Sequence, residues 1–283
     1  MHFLRRFPIA LFLIAAFVIT YVGGIAAYLL LKKTQAFIGT DVAYINDWLL
    51  KFGPSLAGLL SAWLVAGSRG MRDLLGRLIR WRAAPLLYLI AVVFPSAAFL
   101  LVLLLRGHAS ELGTVAPVAA LGVFAMQMLI HTFVGGGLGE EIGWRGFLLP
   151  RLCARYSPLI ASLLVAIAWF VWHVPGYLLT DKAEADPILP FAVMVFPMSI
   201  VLTWLYFRAG ESLLLPVLMH ASINASFYSM VLLLPKMTQS AGFQPTYDWM
   251  LAGVWCVLAI VILAGAGRQL GRSVVSDPIQ PTP

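Results

Sequence analysis

Charge is scarce in this chain. Asp, Glu, Lys and Arg make up 11% of its 283 residues, against 61% hydrophobic ones. Together with a mean hydropathy of +0.91, this excludes an ordinary soluble domain and marks a polytopic membrane protein. Cysteine is scarcer still. Cys153 and Cys256 fall in or beside different apolar runs, which excludes a disulfide framework, and neither has the spacing of a metal motif. No His-Glu-x-x-His occurs, so the zincin helix is absent. No repeat recurs at a fixed period, and Ser222 and Ser226 lack a nucleophile elbow, which argues against a serine hydrolase.

What is present is a series of apolar runs. Candidate spans cover 8–31, 52–68, 84–105, 116–148, 158–179, 187–207, 213–235 and 246–266. Most reach the ~20 residues a helix needs to cross the hydrocarbon. The second is short and the fourth long. The expected fold is all-α, a polytopic transmembrane helical bundle of about eight spans. Its expected divisions are N-terminal transmembrane helices (1–112), a core carrying the chemistry (113–235), a C-terminal transmembrane helix (236–272) and a disordered tail (273–283). The first run is too long for a cleavable signal, and Lys32-Lys33 closes it like an anchor.

The formal net charge of +7 does not indicate a nucleic-acid partner, because Lys and Arg alternate by loop. Arg5, Arg6, Arg69, Arg72, Arg77, Arg80, Arg82, Arg145, Arg151, Arg155, Arg208, Arg268 and Arg272 fall on one side. They outnumber Lys32, Lys33, Arg106, Lys182 and Lys236 on the other. The positive-inside rule then puts both termini in the cytoplasm. The expected location is a membrane, and the compact chain suits a bacterial inner (plasma) membrane. The stretch 69–82 alternates basic and apolar residues. It reads either as an interfacial amphipathic helix or as a plain positive loop.

Against this background Glu140-Glu141, followed by Arg145, is costly. An ionised side chain inside a membrane costs on the order of a few kcal/mol unless it is paired or solvated, so such residues are functional candidates. Glu141 and Arg145 are an i,i+4 pair and can neutralise each other. Glu140 lies about 100° around the helix and stays available for chemistry. Gly135, Gly139 and Gly143 form a small-residue stripe that admits a close neighbour. The other polar candidates are His173 in the fifth span, and His220 and Asn224 in the seventh. His131 and Gln127 in the fourth read as structural. Glu140 and His173 lie about 15 residues either side of the turn at 151–158, roughly 15–22 Å deep at 1.5 Å per residue. His220 and Asn224 share one helical face about 8 and 12 residues past the 207–212 turn, roughly 12–18 Å deep. The four can therefore meet. Pro175 removes a helix hydrogen bond just after His173.

The ordered pattern Glu140-Glu141-Ile-Gly-Trp-Arg145, then Trp169-Phe-Val-Trp-His173, then His220-Ala-Ser-Ile-Asn224 resembles the CAAX prenyl protease and bacteriocin-processing family, also called the Abi family. The resemblance covers about residues 125–230. One departure is visible: the family usually has Phe four residues before the second motif's His, where this chain has Trp169. The resemblance implies an intramembrane endopeptidase with a cavity reached from the cytoplasmic side. It implies that Glu140 is the catalytic glutamate, that His173 is its partner, and that His220 and Asn224 stabilise the tetrahedral intermediate. Glu141 and Arg145 would be structural support. A membrane-associated or lipidated peptide or protein is the implied substrate, with membrane lipid as the surroundings.

Two chemistries fit these residues. Glu140 and His173 can activate a water without a metal, which is the favoured reading. Alternatively, Glu140, His173 and His220 can supply three ligands of a zinc ion with an open fourth position. Zinc is the one candidate cofactor. Two non-proteolytic classes compete: a non-catalytic membrane partner or bacteriocin self-immunity protein, and a transporter using Glu140 as a proton site. No inverted repeat supports the transporter.

Overall fold

A computed structural model describes residues 6–27, 29–30, 50–178, 188–239 and 243–272. The expected tail 273–283 and the loop charges Lys32, Lys33 and Lys182 lie outside the described residues. Every described regular element is helical. We label the main helices α1 (Pro8–Phe17, continued as a π-helical turn over Val18–Gly23), α2 (Gly53–Gly76), α3 (Pro85–Leu105), α4 (Pro117–Phe133), α5 (Gly136–Glu141), α6 (Pro158–Leu178), α7 (Ile188–Arg208), α8 (Leu214–Leu233) and α9 (Phe243–Ala266). Prolines open α1, α2, α3, α4 and α6. A first-turn proline has no N–H to leave unpaired, so it starts a helix at little cost.

Among the described residues seven helical runs are long and apolar enough to cross a membrane. The expected eighth, α2, is a 24-residue helix but falls short in hydropathy, because its second half carries Ser68, Arg69, Arg72 and Asp73. It also bends at Gly67, whose φ of +62° lies in the left-handed region. The helix runs on to Gly76, so the basic stretch is helical in its first half rather than a plain loop.

The fourth span differs from the continuous helix expected over 116–148. It breaks at Val134–Gly135, restarts as α5, and passes into a π-helical turn over Ile142–Leu148. Such turns carry an extra residue per hydrogen-bonded loop and are frequent at functional sites. The glycine stripe explains how the segment packs. A Cβ on Gly143 would lie 2.3 Å from the Pro54 carbonyl oxygen, and one on Gly139 would lie 2.6 Å from that of Lys51. Both glycines therefore seat the start of α2 directly against the motif segment. Gly135 does not share this role; its missing side chain makes room for its own chain at His131.

The bundle has two distinguishable ends. At one, Arg77 donates to the Tyr206 hydroxyl (2.5 Å), Arg80 to the Gly210 carbonyl (3.0 Å) and Arg272 to the Cys153 carbonyl (3.2 Å). These bonds gather the end of α2, the α7–α8 turn, the turn before α6 and the chain after α9. At the other end, Arg106 after α3 donates to the Phe243 carbonyl at the start of α9 (2.9 Å). The arginine clustering anticipated from the loops is therefore a physical face of the molecule.

Replacing Gly143 with Val should cost about 1–3 kcal/mol or more through overpacking, since its Cβ meets backbone rather than a mobile side chain. The check is a thermal melt in detergent. A Tm equal to that of the parent protein would mean α2 does not bear on the motif segment.

Candidate active site

The two adjacent carboxylates point to different partners. Glu141 is fully buried and accepts from Arg145 Nη1 at 2.9 Å. Arg145, also fully buried, reaches Ser199 Oγ at 3.2 Å, and Ser199 donates onward to the Ser162 carbonyl at 2.8 Å. The i,i+4 pairing read from the sequence is present, but Glu141 does more than neutralise an arginine. The same Oε1 atom accepts from His220 Nδ1 at 2.6 Å. Glu141 therefore orients the histidine of the third motif as well as anchoring Arg145.

Glu140 turns its Oε2 to two indoles. Trp169 Nε1 donates to it at 2.6 Å and Trp144 Nε1 at 3.3 Å. Its Oε1 lies 3.8 Å from His220 Nε2. A carboxylate placed among charge-assisted donors is held in one orientation more firmly than by neutral pairs alone. Trp169 packs its ring between Arg145 (4.9 Å from guanidinium to centroid) and His220 (5.3 Å between centroids). The position where this chain departs from the family pattern thus supplies an N–H that phenylalanine lacks.

His173 and Asn224 complete the set as lining residues of one cavity of about 340 Å³, shared with Glu140, His220 and Gly136. His173 Nδ1 lies 2.9 Å from the Trp169 carbonyl, which can only accept, so Nδ1 carries a proton there. In the neutral ring Nε2 is then the lone-pair atom. His220 is held the same way by Glu141, so its Nε2 donates only when the ring carries both protons. All four expected catalytic residues therefore border one space, with Glu140 and His220 closest. Among the described residues no three His, Cys, Asp or Glu side chains come together as a metal-holding group. The three-ligand zinc arrangement does not fit this geometry.

Three contributors were not anticipated. Trp144 and Trp169 donate to Glu140, a role their sequence positions do not reveal. Gly136 stands where a Cβ would lie 2.4 Å from His220 Nε2 and 2.9 Å from Glu140 Oε1. The run Gly135-Gly136-Gly137 beside Glu140 was the available signal. His131 is structural as expected, stacking on Tyr228 at 4.7 Å. Ser222 donates to the Val92 carbonyl and Ser226 pairs with Ser96, so neither is a nucleophile.

The sequence profile of the Rce1-like type II CAAX prenyl endopeptidases matches residues 122–226, the stretch that carries all three motifs. The CAAX prenyl protease 2 of Methanococcus maripaludis is 26% identical over 235 residues, covering 76% of this chain and 82% of that protein. Over the stretch that carries its three motifs, the chain is similar to the CAAX prenyl proteases. It is an integral membrane endopeptidase, and the matched stretch lies within the expected core 113–235.

The cavity extends from the middle of the bundle toward one end. Beyond Glu140, His220 and Trp169 it is lined by Tyr177, Lys51 and Asp248, which stand near the helix ends remote from the arginine face.

Replacing Trp169 with Phe removes a hydrogen bond to a charged group worth about 1.5–3 kcal/mol. We expect kcat to fall by roughly tenfold to a hundredfold with KM little changed, as steady-state kinetics would show. Unchanged kcat would leave the indole N–H without a role. Gly136→Ala should abolish turnover by pressing on His220 and Glu140. Full activity in that variant would show that neither side chain needs its present position.

Proposed function

We propose that this protease hydrolyses a peptide bond with a water activated by Glu140 and His173, without a metal. Hydrolysis without a nucleophilic side chain needs a base for the water, a proton donor for the leaving amine and donors for the oxyanion. The Glu140 carboxylate, steadied on Oε2 by two indoles, leaves Oε1 to take the proton of a water and pass it to the amine. His173 Nε2 accepts from the same water and orients it. The Asn224 amide and doubly protonated His220 donate to the developing oxyanion. Bulk water is limited in the membrane interior, so each placed donor has more effect.

The observation that carries this reading is the shared cavity. Three motifs distant in sequence place Glu140, His173, His220 and Asn224 around one space. The substrate is a membrane-associated or lipidated peptide or protein, cut near its C-terminus or its membrane-proximal part. The relative's name and the membrane-embedded position of the cavity support that class. The enzyme resides in the plasma membrane with both termini in the cytoplasm, an orientation supported by the arginine face.

Glu140→Gln should lower kcat/KM by about 10²–10⁴, the usual contribution of a placed acid–base group. His173→Ala and His220→Ala should each be severely impaired. Full cleavage by all three variants would exclude the mechanism and favour a non-catalytic membrane partner. Metal analysis of active protein extends the test: activity that tracks bound zinc and disappears with a chelator would replace the water mechanism by a metal one.

A further inference from the structure

We propose that the arginine face binds an anionic phospholipid, whose headgroup phosphate is held by Arg77, Arg151 and Arg272. The fold brings these three together around the α7–α8 turn. The Arg77 carbonyl accepts from the Leu213 amide at 3.0 Å, which ties the end of α2 to that turn. Gly146 packs under both: a Cβ there would lie 2.5 Å from Leu74 and 3.0 Å from Leu213. Arg151 follows in the same segment, with its guanidinium over the Phe147 ring, 3.4 Å from the centroid. It stands near enough to Arg77 to feel that residue's charge. Arg272 reaches the carbonyl of Cys153, just past Arg151.

Each guanidinium is aimed by a neutral acceptor. Arg77 donates to the Tyr206 hydroxyl, Arg151 to the Phe147 carbonyl at 2.8 Å and Arg272 to the Cys153 carbonyl at 3.2 Å. Such bonds fix direction and leave the charge unmet. Among the described residues the one carboxylate that reaches the three is Glu211, 3.8 Å from Arg77 Nη2 and 41% exposed. Arg77 Nε is buried without a hydrogen-bond partner. Arg77 and Arg151 are half-buried, so water screens their like charges less than it would on an open surface. Three cations against one distant acid call for an anion with several acceptor oxygens. A guanidinium carries five N–H donors in a planar fork that matches a phosphate.

The surroundings select a lipid over a soluble anion. Trp81, in the stretch after α2, and Tyr156, just before α6, are both exposed at this end. Exposed Trp and Tyr side chains at the ends of membrane helices mark the headgroup level, which is where lipid phosphates lie. Ile79, two residues past Arg77, is also exposed and offers apolar surface to an acyl chain. Basic pockets between membrane helices hold anionic headgroups by this chemistry. A zwitterionic headgroup brings its own cation and meets the cluster less well. The site is separate from the catalytic cavity and does not depend on the peptidase reading.

The test uses the full chain in micelles of a neutral detergent. It is titrated with dioleoylphosphatidylglycerol or with dioleoylphosphatidylcholine, and bound lipid is counted by native mass spectrometry. The phosphatidylglycerol should be retained in preference. Arg151→Gln should lower its affinity by roughly fivefold, the effect of one arginine at a membrane surface. Arg155→Gln removes the same charge from an exposed arginine outside the cluster and should keep the parent affinity. An equal loss in both variants would mean a diffuse charge effect and overturns the site. Equal binding of the two lipids by the parent protein overturns it as well. Inorganic phosphate that displaces the phosphatidylglycerol at equal concentration overturns the lipid as occupant. Should Arg151→Gln fail to accumulate, Arg272→Gln removes another guanidinium of the cluster and should show the same loss.

Discussion

Two carboxylates and a guanidinium share the fully packed middle of this bundle, and the surrounding structure is arranged to keep each of them paired. The penalty for an ion in a low-dielectric interior falls only when its charge and its lone pairs are met. Glu141 meets Arg145 and His220 through one oxygen. Glu140 meets two indoles through one oxygen and keeps the other toward His220 and the cavity. One acid is thereby committed to holding the site together. The other retains a free face for chemistry. Removing either partner of the Glu141–Arg145 pair would leave a buried charge and loosen His220 at the same time.

Backbone geometry makes that arrangement possible. A continuous α-helix through residues 116–148 would carry Glu140 in regular register with His131 and Gln127. The break at Gly135 and the π-helical turn after Glu141 separate this register into two parts. The motif segment can then lie against α2 through Gly139 and Gly143 while Gly136 clears space for His220. Ser55 Oγ donates to the Leu138 carbonyl at 2.7 Å and closes the contact from the α2 side. Gly139, Gly143 and Ser55 thus bring a helix that carries no family motif into the support of the site.

The molecule is also polarised along the membrane normal. One end is a packed layer of aromatic, aliphatic and buried ionic side chains beneath a belt of arginines. The other holds the cavity. The packed end keeps the buried charges in low dielectric, where each hydrogen bond to them is stronger.

Much of this protein was legible in its amino-acid sequence. Hydropathy specified a helical membrane bundle because a backbone in lipid must satisfy its own hydrogen bonds. The spacing of Glu141 and Arg145 specified their pairing because i and i+4 are neighbours on any helix. Turn positions and helical rise placed Glu140, His173, His220 and Asn224 at compatible depths. The sequence alone could not decide which atoms meet. Trp169 reads only as a departure from the family's Phe, because hydrophobicity says nothing of where an indole N–H points. Glu141 read as scaffold because its contact with His220 spans 79 residues of chain. The direction in which the cavity opens depends on how the ends of separate helices pack together, and no local pattern records that. Composition and periodicity act within one helix, whereas a catalytic site and its access are properties of the space between helices.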